Sequence, residues 1–104
     1  MSHPRHALDD VIHSPVRFSI MATLAAAEKA EFAYVRDTVE VTDPALSKQA
    51  ALLEKVGYVK ITKGYVGKRP RTWLSLTDIG RSAFTAHVEA LRAITEMPAG
   101  SSRG

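Results

Sequence analysis

The chain has no cysteine in its 104 residues. Disulfides, thiolate zinc sites and cysteine nucleophiles are therefore excluded. No apolar run approaches the roughly 18 residues that a membrane helix needs. The N-terminal residues also lack the apolar core of a secretion signal, so a soluble, cytoplasmic protein with no membrane contact is expected. There is no glycine-rich phosphate loop, and no nucleophile is paired in sequence with a base, so the chain is not expected to be an enzyme. One absence is local. No Asp or Glu stands between Lys55 and Thr77, a stretch that holds Lys55, Lys60, Lys63, Lys68, Arg69 and Arg71. The chain has 14 Lys+Arg and 11 Asp+Glu, so the remainder carries 8 basic residues against 11 acidic ones, or −3. The net charge of +3 comes from that one segment. A short basic stretch on a mildly acidic body is the electrostatic footprint of contact with nucleic acid.

The length suits one domain, and a 45% hydrophobic fraction is enough for a core. A domain this small gains from sharing buried surface with a second copy. Residues 1–7 show no period and are expected to form a loose arm ahead of a domain over residues 8–97. Residues 98–104 (Pro-Ala-Gly-Ser-Ser-Arg-Gly) have the composition of a disordered tail.

Within the domain, Leu8, Val11 and Ile12 suit one or two short helical turns. Ser14-Pro15 is a helix start, because serine caps free N–H groups and proline fits the first helical position. Val16, Ile20 and Leu24 follow at helical spacing, predicting a helix to about Ala27. Phe32, Val35 and Val39 predict a second helix ending near Glu40. After about two residues, Thr42 caps a third helix, with Asp43 in its first turn, Pro44 just inside and Leu46, Ala50 and Leu53 on its core face. Gly57 is its stop. Two helices so closely joined have helix-turn-helix spacing. Val59 and Ile61 alternate with polar residues over 58–63, and Thr72, Leu74 and Leu76 alternate over 71–76. These are two strands of a hairpin, with residues 64–70 as its turn. Thr77 and Asp78 open a last helix to about Met97, whose apolar positions (Phe84, Val88, Leu91 and Ile79, Ala83, Ala86, Ala90) spread wider than one core stripe requires.

The predicted order is helix, helix, short turn, helix, strand, basic loop, strand, long helix. This is a mostly α winged helix-turn-helix with a β-hairpin wing (α-α-α-β-β-α). The sequence resembles the small stand-alone winged-helix transcription regulators of the MarR/ArsR kind over most of residues 8–95. The resemblance is carried by Ser14-Pro15-Val16-Arg17, by Leu46-Ser47-Lys48 running on to Leu53-Glu54-Lys55-Val56-Gly57-Tyr58-Val59, by Gly67-Lys68-Arg69-Pro70-Arg71-Thr72, and by Leu76-Thr77-Asp78-Ile79-Gly80-Arg81. It implies double-stranded DNA as partner, with the third helix in the major groove, the wing on the backbone or minor groove, and terminal helices that dimerise. On the third helix Pro44, Ala45, Ser47 and Lys48 would face DNA. Ser47 and Lys48 suit bases or phosphates, alanine suits a thymine methyl, and Gln49 lies at the edge of that face. Thr42 sits at the helix N-terminus, where a phosphate is favoured. Lys63, Lys68, Arg69 and Arg71 form the wing contact, with Arg69 foremost for the minor groove. Arg36 would reach a flanking phosphate.

A homodimeric repressor on a pseudo-palindromic site is the resulting expectation. Leu8, Val11, Ile12, Phe84, Val88 and Leu91 are the candidate seam. Trp73 and Tyr65 are expected to pack on the last helix or a partner subunit rather than stack on bases. His3, His6, His13 and His87 are not paired at helical spacing, so neither a metal nor another cofactor is expected. Two alternatives stand beside this reading: a protein–protein adaptor built on the same fold, and a regulator with a small-molecule effector beside the last helix.

Overall fold

The computed structural model describes residues 3–98. The tail expected from residue 98 onward lies, after Pro98, outside the described residues, as do residues 1 and 2. The chain runs α1 (Pro15–Ala25), β1 (Ala30–Glu31), α2 (Phe32–Val39), α3 (Asp43–Lys55), β2 (Val59–Val66), β3 (Arg69–Leu76) and α4 (Asp78–Thr95). One 3-10 turn, Pro4–Ala7, precedes them and packs against α4. Residues 4–7 thus take up regular structure where an arm without period is expected.

Three of the four α-helices, α1, α3 and α4, start on the cap their sequence carries, whereas α2 starts after Glu31 with no side-chain cap. Ser14 Oγ accepts from Arg17 N, Thr42 Oγ1 from Ala45 N and Thr77 Oγ1 from Gly80 N. α3 ends on Gly57 (φ +87°), with Gly57 N donating to Glu54 O and Tyr58 N to Leu53 O. That paired closure is open mainly to glycine, since other residues resist a left-handed backbone. The turn between α2 and α3 is Glu40-Val41-Thr42, three residues rather than the expected two, and Glu40 itself adopts the left-handed conformation at φ 63°.

Ile20, Met21 and Leu24 of α1, Val35 of α2, Leu46, Ala50 and Leu53 of α3, and Val59 and Leu74 of the sheet form one core. Ile12 joins it with no exposed surface. Strand order is β1-β3-β2, all antiparallel. β1 is the element that sequence periodicity misses. Ala30 and Glu31 pair with Leu74 and Trp73, and the helix-turn-helix is thereby stitched to the wing. The hairpin is longer and its turn tighter than expected. Pairing continues to Val66 opposite Arg69, so only Gly67 and Lys68 turn. Of these two turn residues Gly67 has the positive φ (63°), the glycine-first pattern of a two-residue hairpin turn. Gly64, which resembles a loop residue, lies within β2 because Trp73 covers it; a Cβ there would stand 3.1 Å from the indole. Trp73 therefore lies on the face of the sheet opposite Leu74, with Lys29 Nζ 5.0 Å from its ring centroid, and not on α4. Tyr65 is 72% exposed near the wing tip.

Candidate nucleic-acid interface

The core positions of α3 decide which of its residues remain available. With Leu46, Ala50 and Leu53 buried, Thr42, Asp43, Pro44, Ser47, Lys48 and Ala51 are exposed and Ala45 is half-buried. A cleft of about 430 Å³ runs between this helix and the wing, and its walls include Asp43, Ser47, Lys63 and Thr72. Lys63 pairs with Thr72 across the hairpin, so each is set by the register of the other. Recognition helix and wing strand therefore line the same concave surface. Thr72 and Asp43 were not among the residues expected at the site. For Thr72 the signal was present, since it alternates with Leu74 and stands one step further out on the same face.

The N-terminus of α3 is less open to a phosphate than its sequence suggests. Thr42 Oγ1 is occupied by Ala45 N at 3.2 Å, Leu46 N bonds Thr42 O at 2.9 Å, and Pro44 has no N–H to give. Arg36 holds two carboxylates. Its Nε lies 2.8 Å from Asp37 Oδ1, and one guanidinium NH2 nitrogen lies 2.9 Å from Asp43 Oδ1. The hydrogen bond to Asp37 and then that to Asp43 raise the guanidinium pKa further, and the same contact lowers that of Asp37. Arg36 thus offsets the acidic residue at the recognition helix's own start.

Gln49 bonds within the protein, to α1. Its Oε1 accepts from Arg17 of α1 at 3.0 Å, and Arg17 Nε donates in turn to Val11 O. A half-buried amide engaged by an arginine of another helix is tied into the fold. In the wing, Lys63, Lys68 and Arg69 are exposed, and Arg71 is half-buried with Nε 3.5 Å from Glu31 Oε1. The short strand β1 supplies that carboxylate, a neighbour the local sequence around Arg71 does not contain. The two-residue turn puts Lys68 and Arg69 at the extreme tip.

The expected seam divides in two. Ile12 is wholly buried in the protomer's own core, and Phe84 packs there with its ring centroid 5.5 Å from that of Phe18. Both are used within one chain, so Ile12 is corrected from a seam residue to a core residue. Val11 also packs against the core, whereas Leu8, Val88 and Leu91 keep part of their surface exposed. Of the histidines, His3 Nδ1 accepts from Arg5 N, and His13 and His87 have ring centroids 5.5 Å apart. Among the described residues no helix is long and apolar enough to cross a membrane.

An exposed recognition helix, a three-residue turn before it and a basic hairpin beside it define a winged-helix DNA-binding module. Comparison with known proteins agrees. The winged helix DNA-binding domain family matches residues 16–95, and the chain belongs to that family. It is 32% identical over 78 residues to an uncharacterised protein of Methanocaldococcus jannaschii, covering 75% of this chain and 85% of that one. Among solved structures, the transcriptional regulator homologue from Pyrococcus horikoshii OT3 superposes with a TM-score of 0.83 at 28% identity, covering 92% of this chain and 96% of the other. The transcriptional repressor CouR, bound to a 23-mer DNA duplex, shares the fold with a TM-score of 0.72 at 22% identity, over 97% of this chain and 74% of its own. The protein is a winged-helix DNA-binding protein, similar over nearly its whole described length to that transcriptional regulator homologue.

Proposed function

We propose that the protein is a homodimeric repressor of a pseudo-palindromic duplex site. Each α3 enters a major groove with Pro44, Ala45, Ser47 and Lys48 toward the bases, while Thr42 and Arg36 lie near the flanking backbone. The wing brings Lys63, Lys68, Arg69 and Arg71 to the backbone and adjacent minor groove, Arg69 deepest. The observation that carries this reading is the shared cleft, in which Ser47 of the helix and Lys63 of the wing line one concave wall. Small side chains on α3 leave much of the discrimination to wing and groove shape. Leu8, Val88 and Leu91, half-exposed on the N-terminal segment and α4, supply the seam. The repressor role follows CouR, a repressor with this fold. Selection from a random duplex library, followed by footprinting, tests the reading. The expected product is an inverted repeat with half-site centres about 10 base pairs apart. Enrichment of single, unrepeated half-sites would refute the dimer, and no enrichment would refute specific recognition.

One observation favours a ligand-responsive form of the same regulator. An apolar hollow of about 260 Å³ is lined by Ile12, Pro15, Phe18, His87 and Leu91, and the His87 Nε2 in its wall has no hydrogen-bond partner. A small apolar molecule carrying one acceptor group fits that chemistry. The protein NadR, solved with 4-hydroxyphenylacetate, has this fold. A rise in melting temperature with such compounds, together with loss of duplex binding, is the expected result; a screen of aromatic acids that moves neither would rule this form out.

A further inference from the structure

His87, on α4, is 1% exposed, and its Nδ1 accepts the backbone N–H of Asp9 at 3.0 Å. An imidazole nitrogen that accepts carries no proton, so in the neutral ring the proton resides on Nε2. Protonation of this ring adds its second proton at Nδ1, where it meets the Asp9 N–H head on. The bond that fastens the N-terminal segment to α4 is then lost, and a charge is left in a largely apolar wall of Ile12, Phe18 and Leu91.

The Asp9 carboxylate is already engaged. Its Oδ1 accepts from Val11 N at 2.8 Å and Ile12 N at 3.3 Å, and its Oδ2 from the Tyr58 hydroxyl. Around His87, the N-terminal turn presents His13 and this occupied carboxylate, and the 3-10 turn packed on α4 carries Arg5 and His6, both exposed. From α1 comes Phe18, 5.7 Å away centroid to centroid, while the guanidinium of Arg17 is engaged by Val11 O and Gln49. Burial and then His13 hold the imidazole below its ordinary value, with Asp9 acting in the opposite direction.

The segment that His87 holds is tied to the recognition helix at two places. Asp9 bonds Tyr58, which closes the C-terminus of α3, and Val11 O bonds Arg17, which holds Gln49 in the middle of α3. We propose that His87 is a proton-sensitive latch: in acid it releases the Asp9 turn from α4 and loosens the seating of the recognition helix on the core. The latch itself stands on the hydrogen-bond geometry. Its effect on DNA rests additionally on the DNA-binding reading above.

The latch gives acid a sign opposite to simple electrostatics. Protonating histidines makes the protein more positive and, by charge alone, strengthens its hold on phosphates. Release of the recognition helix weakens it. The test has one arm without DNA. NMR titration of the full chain should place the His87 midpoint below that of a free imidazole, and hydrogen exchange at the Asp9 amide, corrected for intrinsic pH dependence, should accelerate with the same midpoint. A His87 midpoint at or above the ordinary value, or Asp9 protection that ignores the titration, overturns the latch whatever DNA does. The second arm is duplex affinity at fixed ionic strength. Wild type should lose about fivefold or more between neutral pH and acid, the lower end of usual coupling between sites. His87→Asn keeps a side-chain acceptor without a proton to gain, so it should bind more tightly in acid than wild type. Equal acid response in the two proteins overturns the link to DNA and leaves the first arm to judge the latch.

Discussion

Gly80 of α4 rests directly on the backbone of Tyr58. A Cβ built at Gly80 would lie 2.8 Å from the Tyr58 carbonyl carbon and 2.9 Å from its Cα, and closer still to its oxygen. The last helix thereby docks on the residue that ends the recognition helix. Thr77 reinforces the junction, its hydroxyl donating to Gly57 O while its N–H donates to Tyr58 O. In an unconstrained helix Ala is better than Gly by about 1 kcal/mol. Here the backbone cannot yield as a flexible side chain would, so Gly80→Ala should cost about 2 kcal/mol or more and lower the melting temperature by roughly 10 °C. Thermal unfolding followed by circular dichroism measures it; an unchanged or higher midpoint would show that the helix can slide.

Glu40 offers the reverse case. It occupies the left-handed region at φ 63° with an exposed side chain. That conformation costs a non-glycine residue about 1–2 kcal/mol. Glu40→Gly relieves the strain while making the unfolded chain more flexible, so a net gain of about 0.5–1 kcal/mol in chemical denaturation is expected.

The Tyr58 hydroxyl donates to Asp9, and this bond, followed by burial, raises the phenol above its ordinary value of 10.0. The fold therefore favours the neutral phenol. Its contribution is complete below pH 10 and fades as pH climbs through the higher folded value. Tyr58→Phe should cost about 1–2 kcal/mol near neutrality, as a hydrogen bond to a carboxylate is worth. Above pH 10 the difference between the two proteins should narrow, which paired denaturation curves at neutral and alkaline pH would reveal.

Gln49 and Ser47 lie two residues apart on α3, yet only Ser47 lines the cleft. Gln49→Ala removes the acceptor for Arg17 and should cost about 1 kcal/mol of stability, with a smaller loss of duplex affinity than Ser47→Ala because only the seating of α3 is affected. Ser47→Ala should leave stability nearly unchanged and weaken specific binding. Affinity losses in the opposite order would return Gln49 to the interface.

The elements legible in the sequence are those fixed by local chemistry. Ser14-Pro15, Thr42 and Thr77 cap the helices they were expected to cap, and Gly57 ends α3 with a positive φ. What stayed hidden depends on partners distant in the chain. β1 is two residues long and exists only because β3 lies beside it. Gly64 belongs to a strand because Trp73 covers it, and Ile12 is core rather than seam because the N-terminal segment folds back onto α4 through a bond spanning 78 positions. At the interface, the basic segment and exposed helix face were legible from charge and spacing. The carboxylates that temper them were less so: Asp37 follows Arg36 directly in the chain, but Asp43 on Arg36 and Glu31 beside Arg71 come together only in the fold.

The proposed hold on DNA runs through α3 and the tip of the wing. Fluorescence anisotropy on a 30-base-pair duplex of about that length, over a series of salt concentrations, tests it most directly when wild type is compared with a Lys68→Ala/Arg69→Ala variant. A dimer with about 6–10 phosphate contacts predicts a log–log slope of roughly −5 to −9. The variant, losing two cations per protomer, should bind more weakly and with a slope shallower by up to about 4. A wild-type slope near zero, or a variant indistinguishable from wild type at every salt concentration, would contradict the account.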